Sequence, residues 1–546
     1  MNLMNNAIIQ PPRPVNEPVL DYAPGSPERA ALETTLAEAA AREIEVPLVI
    51  GGERVFTGRT GDMIMPHDHG HRLGSYHKAG PDEVRRAIDA AVAAQKDWQR
   101  LRWEERAAIF LKAAELLAVK YRAQMNAGSM LNGGKTVFQA EIDAACELID
   151  FLRFNVAYAQ EIYEKQPASS RGVWNFVQQR PLEGFVFAVT PFNFTAIAGN
   201  LPTAPAIMGN TVLWKPASSL VYTPWLFMQI LEEAGLPPGV INFVPGPGRE
   251  VGGAALTSPH LAGVHFTGST GTFQQMWKTI GGNIDRYHAY PRIVGETGGK
   301  DFVFAHASAD VPALVTALVR GAFEYQGQKC SAASRAYVPR SLWPEVEAKL
   351  RADIARIRIG PPTDFRNFFG AVIDRAAFDS IKAYLDYTNE NDGAEILIGG
   401  GCDDSTGYFI EPTVILAEDP KFRTMVEEIF GPVLSVYVYD DADYAATLEL
   451  CDQSSMYALT GAIFANDRGA TSLALAKLEH AAGNFYINDK PTGAVVGQQP
   501  FGGGRASGTN DKAGSAANLM RWVSTRTIKE TFVPPTDFAY PFMGEK

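Results

Sequence analysis

The feature of this sequence that most constrains its fold is a series of four short apolar segments near the middle of the chain. They are "FVFAVT", "TVLWKP", "VINFVP" and "GVHFTG", and helical stretches separate the first three. Strands that alternate with helices favour a parallel sheet with helices on both faces. We therefore predict an α/β protein. A second α/β stretch, from about Asp301 to Phe501, continues the pattern.

The segments before this series predict an arm, helices and short strands. Residues 1–25 are Pro-rich, and "SPERAALETTLAEAAARE" is typical of a helix with Ser26 as N-cap. Apolar residues at three- and four-residue spacing predict helices over residues 81–163. "VPLVIGGERVFTG" predicts two strands around residues 51–52, and "QPASSRGVWNFVQQRPLEG" predicts a hairpin over residues 166–184.

Composition and charge exclude several classes of protein. A net charge of −12 argues against a dedicated nucleic-acid surface. The sequence has no uninterrupted apolar run of about 18 residues, so we expect no membrane span. The four cysteines include no CxxC pair, which argues against a thiolate zinc site. Four cysteines in so long a chain do not make a disulfide scaffold, and a reducing compartment fits better. The first residues resemble neither a secretory signal nor an Arg-rich transit peptide, so we expect a cytoplasmic protein.

One of these cysteines, Cys330, has neighbours that suit chemistry. In "FEYQGQKCSAASR" a glycine precedes it and small residues follow, which would let a ligand approach the sulfur. A thiol acts as a nucleophile only when it is ionised and accessible, and an isolated cysteine is more often buried and inert. No nearby histidine completes a Cys-His pair, which counts against a papain-like hydrolase.

Four other polar residues lie at predicted strand ends or turns. Asn193 in "TPFNFTAIAGN" could donate to an oxyanion or cap the following helix. Lys215 in "LWKPAS" could hold ribose or phosphate, or be a solvated charge. Ser269 in "FTGST" could mark a phosphate site at a helix start or only a cap. Glu296 in "GETGGK" could be a general base or an exposed loop carboxylate.

Together the segments "PFNF", "WKPA", "FTGS", "ETGGK", "GQKC" and "EEIFGP" resemble the NAD(P)-dependent aldehyde dehydrogenase superfamily, over about residues 45–530. The resemblance implies a Rossmann-like NAD-binding domain, an α/β catalytic domain, a small oligomerisation hairpin and at least a homodimer. The implied units are an N-terminal arm with the helical part of the NAD-binding domain (1–163), the hairpin (164–184), the Rossmann-like part (185–296), the catalytic domain (297–511) and a C-terminal oligomerisation segment (512–546).

The same resemblance implies roles for individual residues. Cys330 would attack an aldehyde to form a thiohemiacetal and then a thioester, with Asn193 and the Cys330 backbone N–H stabilising the oxyanion. Glu296 would activate the water that hydrolyses the thioester. NAD is the expected cofactor and no metal is expected, although Ser218 replaces a glutamate common in NAD-preferring relatives and leaves NADP open. The expected cofactor-binding residues are Lys215, Ser218, Gly268, Ser269, Glu428 and Phe430.

Longer motifs resemble the branch of this superfamily that oxidises L-glutamate γ-semialdehyde to L-glutamate in proline catabolism. They include "ELIDFLRFN", "FEYQGQKCSAASR", "AAGNFYINDK" and "TGAVVGQQPFGGGRASGTNDKAG". Backbone N–H groups would bind the substrate carboxylate, two phenylalanines would sandwich its methylenes, and Glu147 would face its amine or be a solvated carboxylate. The expected substrate-binding residues are Ser331, Gly493, Ala494, Phe194, Phe501 and Glu147.

Three alternatives stay open from the sequence. A different aldehyde dehydrogenase, for example one acting on succinate semialdehyde, would keep the chemistry and change the substrate. A thiol hydrolase would use Cys330 without a nicotinamide cofactor. A non-catalytic structural protein would tolerate the loss of Cys330, Glu296 or Asn193.

Overall fold

The computed structural model describes residues 8–544, in which two seven-stranded sheets are flanked by helices. The helices are α1 Pro27–Ala40, α2 Pro81–Trp98, α3 Trp103–Leu116, α4 Arg122–Leu131, α5 Val137–Ala140, α6 Leu148–Glu164, α7 Thr195–Ile207, α8 Tyr222–Ala234, α9 Gly248–Leu256, α10 Thr270–Gly282, α11 Val311–Phe323, α12 Trp343–Ile354, α13 Arg375–Glu390, α14 Arg423–Val426, α15 Tyr444–Gln453, α16 Arg468–Lys477 and α17 Ala516–Met520. Two π-helical segments, Leu117–Tyr121 and Glu141–Glu147, join α3 to α4 and α5 to α6. Short 3₁₀ turns occupy Glu324–Gly327, Asp441–Asp443 and Pro541–Met543.

The strands are β1 Ile44–Val46, β2 Leu48–Ile50, β3 Glu53–Val55, β4 Thr60–Met65, β5 Asp68–His77, β6 Val173–Pro181, β7 Phe185–Val189, β8 Thr211–Lys215, β9 Ile241–Phe243, β10 Leu261–Thr267, β11 Arg292–Glu296, β12 Asp301–Ala305, β13 Ala333–Pro339, β14 Ala394–Ile398, β15 Cys402–Asp403, β16 Phe409–Ile410, β17 Thr413–Ala417, β18 Val433–Tyr439, β19 Tyr457–Ala458, β20 Thr460–Phe464, β21 Asn484–Ile487, β22 Gly504–Arg505 and β23 Val523–Thr531.

The first large sheet contains the four strands predicted from the central apolar segments. Its order is β11-β10-β7-β8-β9-β2-β3, and the first five strands are parallel. The chain proceeds from β7 through β8 to β9 on one side and returns to β10 on the other side of β7. Such a reversal opens a crevice beyond the carboxyl ends of the strands, where ligands bind. The segments that contain Asn193 and Gly268 leave β7 and β10 at this crevice.

Both faces of this sheet are buried, which explains why its strands are apolar throughout. Val186, Ala188 and Trp214 pack into the hydrophobic cluster on one face. Phe185 and Phe187 pack into the cluster on the other face. Alternate residues of a strand point to opposite faces, so helices on both sides require apolar residues at every position.

The second large sheet has the order β14-β17-β18-β13-β12-β20-β21 and is parallel except for β14. Its strands β12 and β18 are the predicted segments "DFVFAH" and "PVLSVYVY", and α11 begins at the predicted residue Val311. Cys330 lies in the turn between α11 and β13. The second sheet therefore presents this cysteine to the crevice of the first.

The predicted hairpin over residues 166–184 is not formed. The segment contains one strand, β6, which pairs antiparallel with β23 along nine residues, from Val173 opposite Thr531 to Pro181 opposite Val523. Residues before β6 are polar and small, so they supply no second strand. The partner strand comes instead from the end of the chain, a pairing that local sequence does not reveal.

Several local predictions are confirmed. Ser26 caps α1, and its hydroxyl accepts a hydrogen bond from the Arg29 N–H at 3.3 Å. The strands β2 and β3 lie on either side of Gly51 and Gly52.

No helix within residues 8–544 combines the length and the apolar character needed to cross a membrane.

Candidate active site

Two cavities meet at Cys330, which lies in the walls of both. The smaller cavity has a volume of about 460 Å³ and the larger one about 1020 Å³. Phe266 and Thr267, at the end of β10, also line both cavities. The cysteine at this junction could therefore contact two different bound molecules at once.

A strained turn presents Cys330 to this junction. Tyr325 and Gln326 have φ angles of 53° and 55°, and Gly327 has a φ of 66°. Left-handed backbone is costly for bulky residues and is often found at functional sites. At Gly327 a side chain would also clash, because a Cβ atom would lie 2.1 Å from the Gly431 carbonyl oxygen.

The Cys330 thiol is 7% exposed, and its pKa is raised well above its usual value. Burial is the main cause, and the carboxyl groups of Glu296, Asp301 and Glu428 add to it. The thiol is therefore protonated at rest. It needs a proton acceptor or a bound cationic group before it can act as a nucleophile.

Asn193 does not cap the helix that follows it, so the simplest structural explanation of this residue is wrong. The first N–H groups of α7, those of Thr195 and Ala196, donate to the carboxylate of Asp143 at 2.9 and 2.8 Å. Asn193 is buried and lines the larger cavity. Among residues 8–544, none hydrogen-bonds its side-chain amide, which leaves this amide available to a ligand.

Glu296 ends β11 and lines the smaller cavity. Its backbone carbonyl accepts a hydrogen bond from Gly268 at 3.2 Å, which joins the ends of β10 and β11. Burial raises the pKa of the carboxyl to about 8, with Lys512 lowering it and Asp511 raising it further. A carboxyl with a pKa near the working pH can both accept and release a proton.

The larger cavity is lined by five of the six predicted cofactor-binding residues. Lys215 lies at the end of β8, where burial lowers its pKa to about 8 and its ammonium donates to the Pro216 carbonyl at 2.9 Å. Glu428 accepts a hydrogen bond from the Gly299 N–H at 2.9 Å, and burial raises its pKa to about 7. The five residues are Lys215, Gly268, Ser269, Glu428 and Phe430.

The start of α10 forms part of the same wall. The Ser269 hydroxyl is the N-cap: it accepts from the Thr272 N–H at 3.4 Å and bonds the Thr272 hydroxyl at 2.8 Å. The Gly268 N–H is already bonded to Glu296, so free donors at this end must come from the first residues of α10, including Gly271. The sixth predicted residue, Ser218, is exposed and lies outside both cavity walls.

All six predicted substrate-binding residues line the smaller cavity. The Ser331 hydroxyl bonds the Thr492 hydroxyl at 2.8 Å. The N–H groups of Gly493 and Ala494 have no hydrogen-bond acceptor within residues 8–544. Glu147 is partly exposed, and burial together with Asp143 raises the pKa of its carboxyl well above the usual range. The remaining two are the aromatic residues Phe194 and Phe501.

Sequence reasoning missed further residues in this wall. Lys329 and Glu324 form a buried ion pair at 3.2 Å. The lysine was visible in "GQKC", but its partner lies across the left-handed turn and could not be paired from spacing. Asn16 and Glu17 of the N-terminal arm also line the smaller cavity. The Asn16 amide and the Glu17 N–H donate to Asp150 at 2.8 and 2.7 Å, a long-range contact with no sequence signal.

Comparisons with known proteins show the family to which the chain is similar. The model of the aldehyde dehydrogenase family matches residues 56–528. The chain is 53% identical to a Dictyostelium discoideum protein named Delta-1-pyrroline-5-carboxylate dehydrogenase, mitochondrial, over 97% of this chain and 96% of that one. It is 50% identical to the Homo sapiens protein of the same name, over 97% of this chain and 94% of that one.

Solved structures give the same result. The Delta-pyrroline-5-carboxylate dehydrogenase of Mycobacterium tuberculosis bound with NAD superposes with a TM-score of 0.96 at 55% identity, covering 99% of this chain and 100% of that one. A 1-pyrroline-5-carboxylate dehydrogenase from Thermus with bound NAD has a TM-score of 0.90 at 32% identity, covering 96% of this chain and 100% of that one.

The prediction of a cytoplasmic location is contradicted by these comparisons, because the relatives from Dictyostelium discoideum and Homo sapiens are named as mitochondrial. Scarce cysteines separate reducing from oxidising compartments and do not separate one reducing compartment from another. The family model over most of the chain and the solved structures with the same fold lead to one conclusion. The chain belongs to the aldehyde dehydrogenase family.

Proposed function

We propose that this protein oxidises L-glutamate γ-semialdehyde, the open form of Δ1-pyrroline-5-carboxylate, to L-glutamate with NAD, the second step of proline catabolism. The observation that carries the proposal is the place of Cys330, in the walls of two cavities of different size and chemistry. The relatives named for this reaction cover nearly the whole chain and support the substrate.

The larger cavity fits a dinucleotide. Its volume of about 1020 Å³ suits a long ligand, and the start of α10 offers backbone N–H groups to a pyrophosphate. Lys215 and Glu428 would hold the two riboses, with Phe430 packing beside the nicotinamide end. Gly298 permits this arrangement, because a Cβ atom there would lie 2.1 Å from a Glu428 carboxylate oxygen. Bound NAD would supply the hydride acceptor.

The residues around Cys330 would carry the remaining chemistry. With the cationic nicotinamide ring of NAD bound in the larger cavity, the Cys330 thiol would release its proton to water, and its sulfur would attack the aldehyde carbon and form a thiohemiacetal. The free amide of Asn193 and the Cys330 backbone N–H would donate to its oxyanion, each contributing ~3 kcal/mol. Oxidation gives a thioester, and Glu296 as carboxylate would take a proton from the water that hydrolyses it.

The smaller cavity would hold the far end of the substrate. The free N–H groups of Gly493 and Ala494, with the Ser331 hydroxyl, suit an α-carboxylate, since two or three donors favour the ionised form. Phe194 and Phe501 would enclose the methylenes, and Glu147 would face the α-amine. The polar ends thus fix the substrate with its aldehyde at Cys330.

The proposed units are a cofactor domain (1–163 and 185–296), a catalytic domain (297–511) and an oligomerisation ribbon formed by residues 164–184 and 512–546. The ribbon of β6 and β23 exposes Trp174, and the tail after it exposes Phe532, Val533 and Phe542. Exposed apolar groups of this kind mark interaction surfaces, and a homodimer or larger assembly would cover them. Light scattering of the full chain and of a chain ending before residue 532 tests this assembly.

The function itself is tested by NADH formation from pyrroline-5-carboxylate. We expect the wild-type protein to reduce NAD and the Cys330→Ala variant not to. If the wild type ignores this substrate but oxidises succinate semialdehyde or a short aliphatic aldehyde, the substrate assignment is wrong. Ester hydrolysis without a nicotinamide, in the absence of any dehydrogenase activity, would favour a thiol hydrolase. Silence with every substrate would favour a structural protein.

A further inference from the structure

A short loop that is distant in sequence from the predicted motifs contacts the two segments that carry the nucleophile and the oxyanion donor. It is the NGGK loop, Asn132–Lys135, which follows α4. None of its residues lines either cavity. Its contacts nevertheless reach the turn before Cys330 and the start of α7 after Asn193.

On the side of Cys330, the NGGK loop holds the strained turn. The Tyr325 hydroxyl donates to the Gly133 carbonyl at 2.9 Å, and the Gln326 amide donates to the Gly134 carbonyl at 2.9 Å. These are the two bulky residues of this turn that have left-handed backbone. Such conformations persist only where the surrounding structure fixes them. The loop therefore helps to hold the conformation that presents the Cys330 sulfur.

On the side of Asn193, the contact is a fully buried ion pair. The Lys135 ammonium lies 2.7 Å from a carboxylate oxygen of Asp143, and both side chains are at most 2% exposed. Asp143 in turn accepts the N–H groups of Thr195 and Ala196. The pair thus fixes the first turn of α7, which begins two residues after Asn193.

The Lys135 ammonium also joins the two sides directly. It lies 4.4 Å from the ring centroid of Phe194 and 4.6 Å from that of Tyr325. A desolvated ammonium is attracted to aromatic faces at such distances. One cation therefore contacts the residue next to the oxyanion donor and a residue of the turn that carries the nucleophile.

We propose that Lys135 is a positioning residue that couples the Asn193 amide to the Cys330 sulfur, through Asp143 and Phe194 on one side and Tyr325 on the other. The inference rests on the proposed function and names a further residue on which its rate depends. A displacement of about 1 Å at a reacting group can reduce a rate by about 10²-fold. The alternative is a pair that stabilises the fold without setting the geometry of the site.

The test compares Lys135→Met and Asp143→Asn with the wild type and a matched control. Arg375 is the control, because it also lies between two rings, 5.5 Å from Phe378 and 5.1 Å from Tyr408, and pairs with Asp404, away from both cavities. We expect Lys135→Met to lower kcat by about 10²-fold with NAD affinity within about twofold of the wild type. Arg375→Met should keep the wild-type kcat.

A cycle with Asn193→Ala separates positioning from stability. If Lys135 acts through Asn193, the loss of kcat caused by Lys135→Met shrinks severalfold once Asn193 is already alanine. Losses that multiply in the double variant, or a Lys135→Met kcat equal to the wild type, would overturn the proposal. So would an equal kcat loss in Arg375→Met, because the loss of a cation between two rings away from the site would then have the same effect.

Two further measurements keep the test decisive. If the variants of the buried pair do not fold, Tyr325→Leu removes the aromatic face that the Lys135 ammonium contacts at 4.6 Å. A kcat lowered severalfold then supports the coupling, and an unchanged kcat overturns it. If the wild type oxidises no aldehyde, the proposed function fails, and the rate of Cys330 alkylation by iodoacetamide still tests the coupling. A changed rate in Lys135→Met and not in Arg375→Met supports the coupling, and equal rates overturn it.

Discussion

The two cavities that meet at Cys330 are built in different ways. Residues of the larger cavity come mainly from the ends of β7, β8, β10 and β11 and from the helices that follow β9 and β10. Residues of the smaller cavity come from the N-terminal arm, from α6 and the π-helical segment before it, from α7, from the ends of β10 and β11, and from loops more than 470 positions after the arm. Parallel-sheet topology thus builds most of the larger cavity, whereas the smaller cavity is completed by long-range packing.

Cys330 lies where the two cavities meet, so its replacement should have the largest effect on the reaction. Replacing it with alanine removes the only group proposed to act covalently in both cavities. We expect kcat to fall by at least about 10⁴-fold, as for other covalent nucleophiles. NAD binding, measured by fluorescence, should stay within about twofold of the wild type. A variant that retains a tenth of the activity would remove the covalent role.

Changing Glu296 should affect the reaction and not the binding in either cavity. Because its pKa is about 8 and the carboxylate is the proton acceptor, the wild-type kcat should rise with pH up to about 8 and then level. Glu296→Gln should lower kcat by about 10²- to 10³-fold. The rise of kcat with pH should disappear in this variant. A glutamine variant with the wild-type pH profile would assign the proton transfer to another group.

Linkage gives an independent check on the same carboxyl. The pKa in the folded protein, about 8, lies above the usual value of 4.5, so its contribution to stability is present below about 4.5 and is lost as the pH rises towards 8. Glu296→Gln should therefore be more stable than the wild type near pH 9. Chemical denaturation of both proteins at pH 5 and pH 9 measures the difference in their free energies of unfolding. The same difference at both pH values would contradict the raised pKa of Glu296.

Substitutions in the two cavities should change different Michaelis constants. Phe501 is held by backbone hydrogen bonds with Ala513 at 3.0 and 2.8 Å, so Phe501→Ala should leave the loop in place. The loss of an aromatic wall should raise KM for the semialdehyde by about tenfold or more. KM for NAD should not change. Equal changes in both constants would mean that the cavities are not independent.

The reciprocal change is Lys215→Met in the larger cavity. It keeps the stem and removes the ammonium, so KM for NAD should rise about tenfold, in line with the loss of one charged hydrogen bond. KM for the semialdehyde should stay the same. An increase confined to KM for the semialdehyde would mean that the larger cavity binds the substrate and not NAD.

The smallest effect is expected at the N-terminal arm. Asn16→Ala removes its hydrogen bonds to Asp150 and to the Val496 carbonyl at the edge of the smaller cavity. A loss of about 1 kcal/mol should raise KM for the semialdehyde severalfold at most. Asn391→Ala, which removes an exposed amide bond to the Tyr387 carbonyl at 2.8 Å away from both cavities, is the matched control. A larger effect from the control would mean that the arm does not shape the cavity.

The sequence predicted most of the larger cavity, because consecutive parallel strands bring their carboxyl ends together. It could not decide between roles for Asn193, since the actual cap of α7, Asp143, lies on another segment. It also missed Lys135, which contacts the site only through side chains from three segments. Ser218 followed a motif, but it is exposed and lies outside the walls of both cavities, although its neighbour Ala217 lines the larger one.

The central claim, that Cys330 holds the substrate covalently where the two cavities meet, is tested most directly by intact-protein mass spectrometry of Glu296→Gln. This variant is incubated with pyrroline-5-carboxylate, with and without NAD. With NAD, a thioester should accumulate on the peptide containing Cys330, because hydrolysis has lost its base. It should be absent in the Cys330→Ala, Glu296→Gln double variant. No adduct with NAD, or an adduct at another residue, would contradict the account.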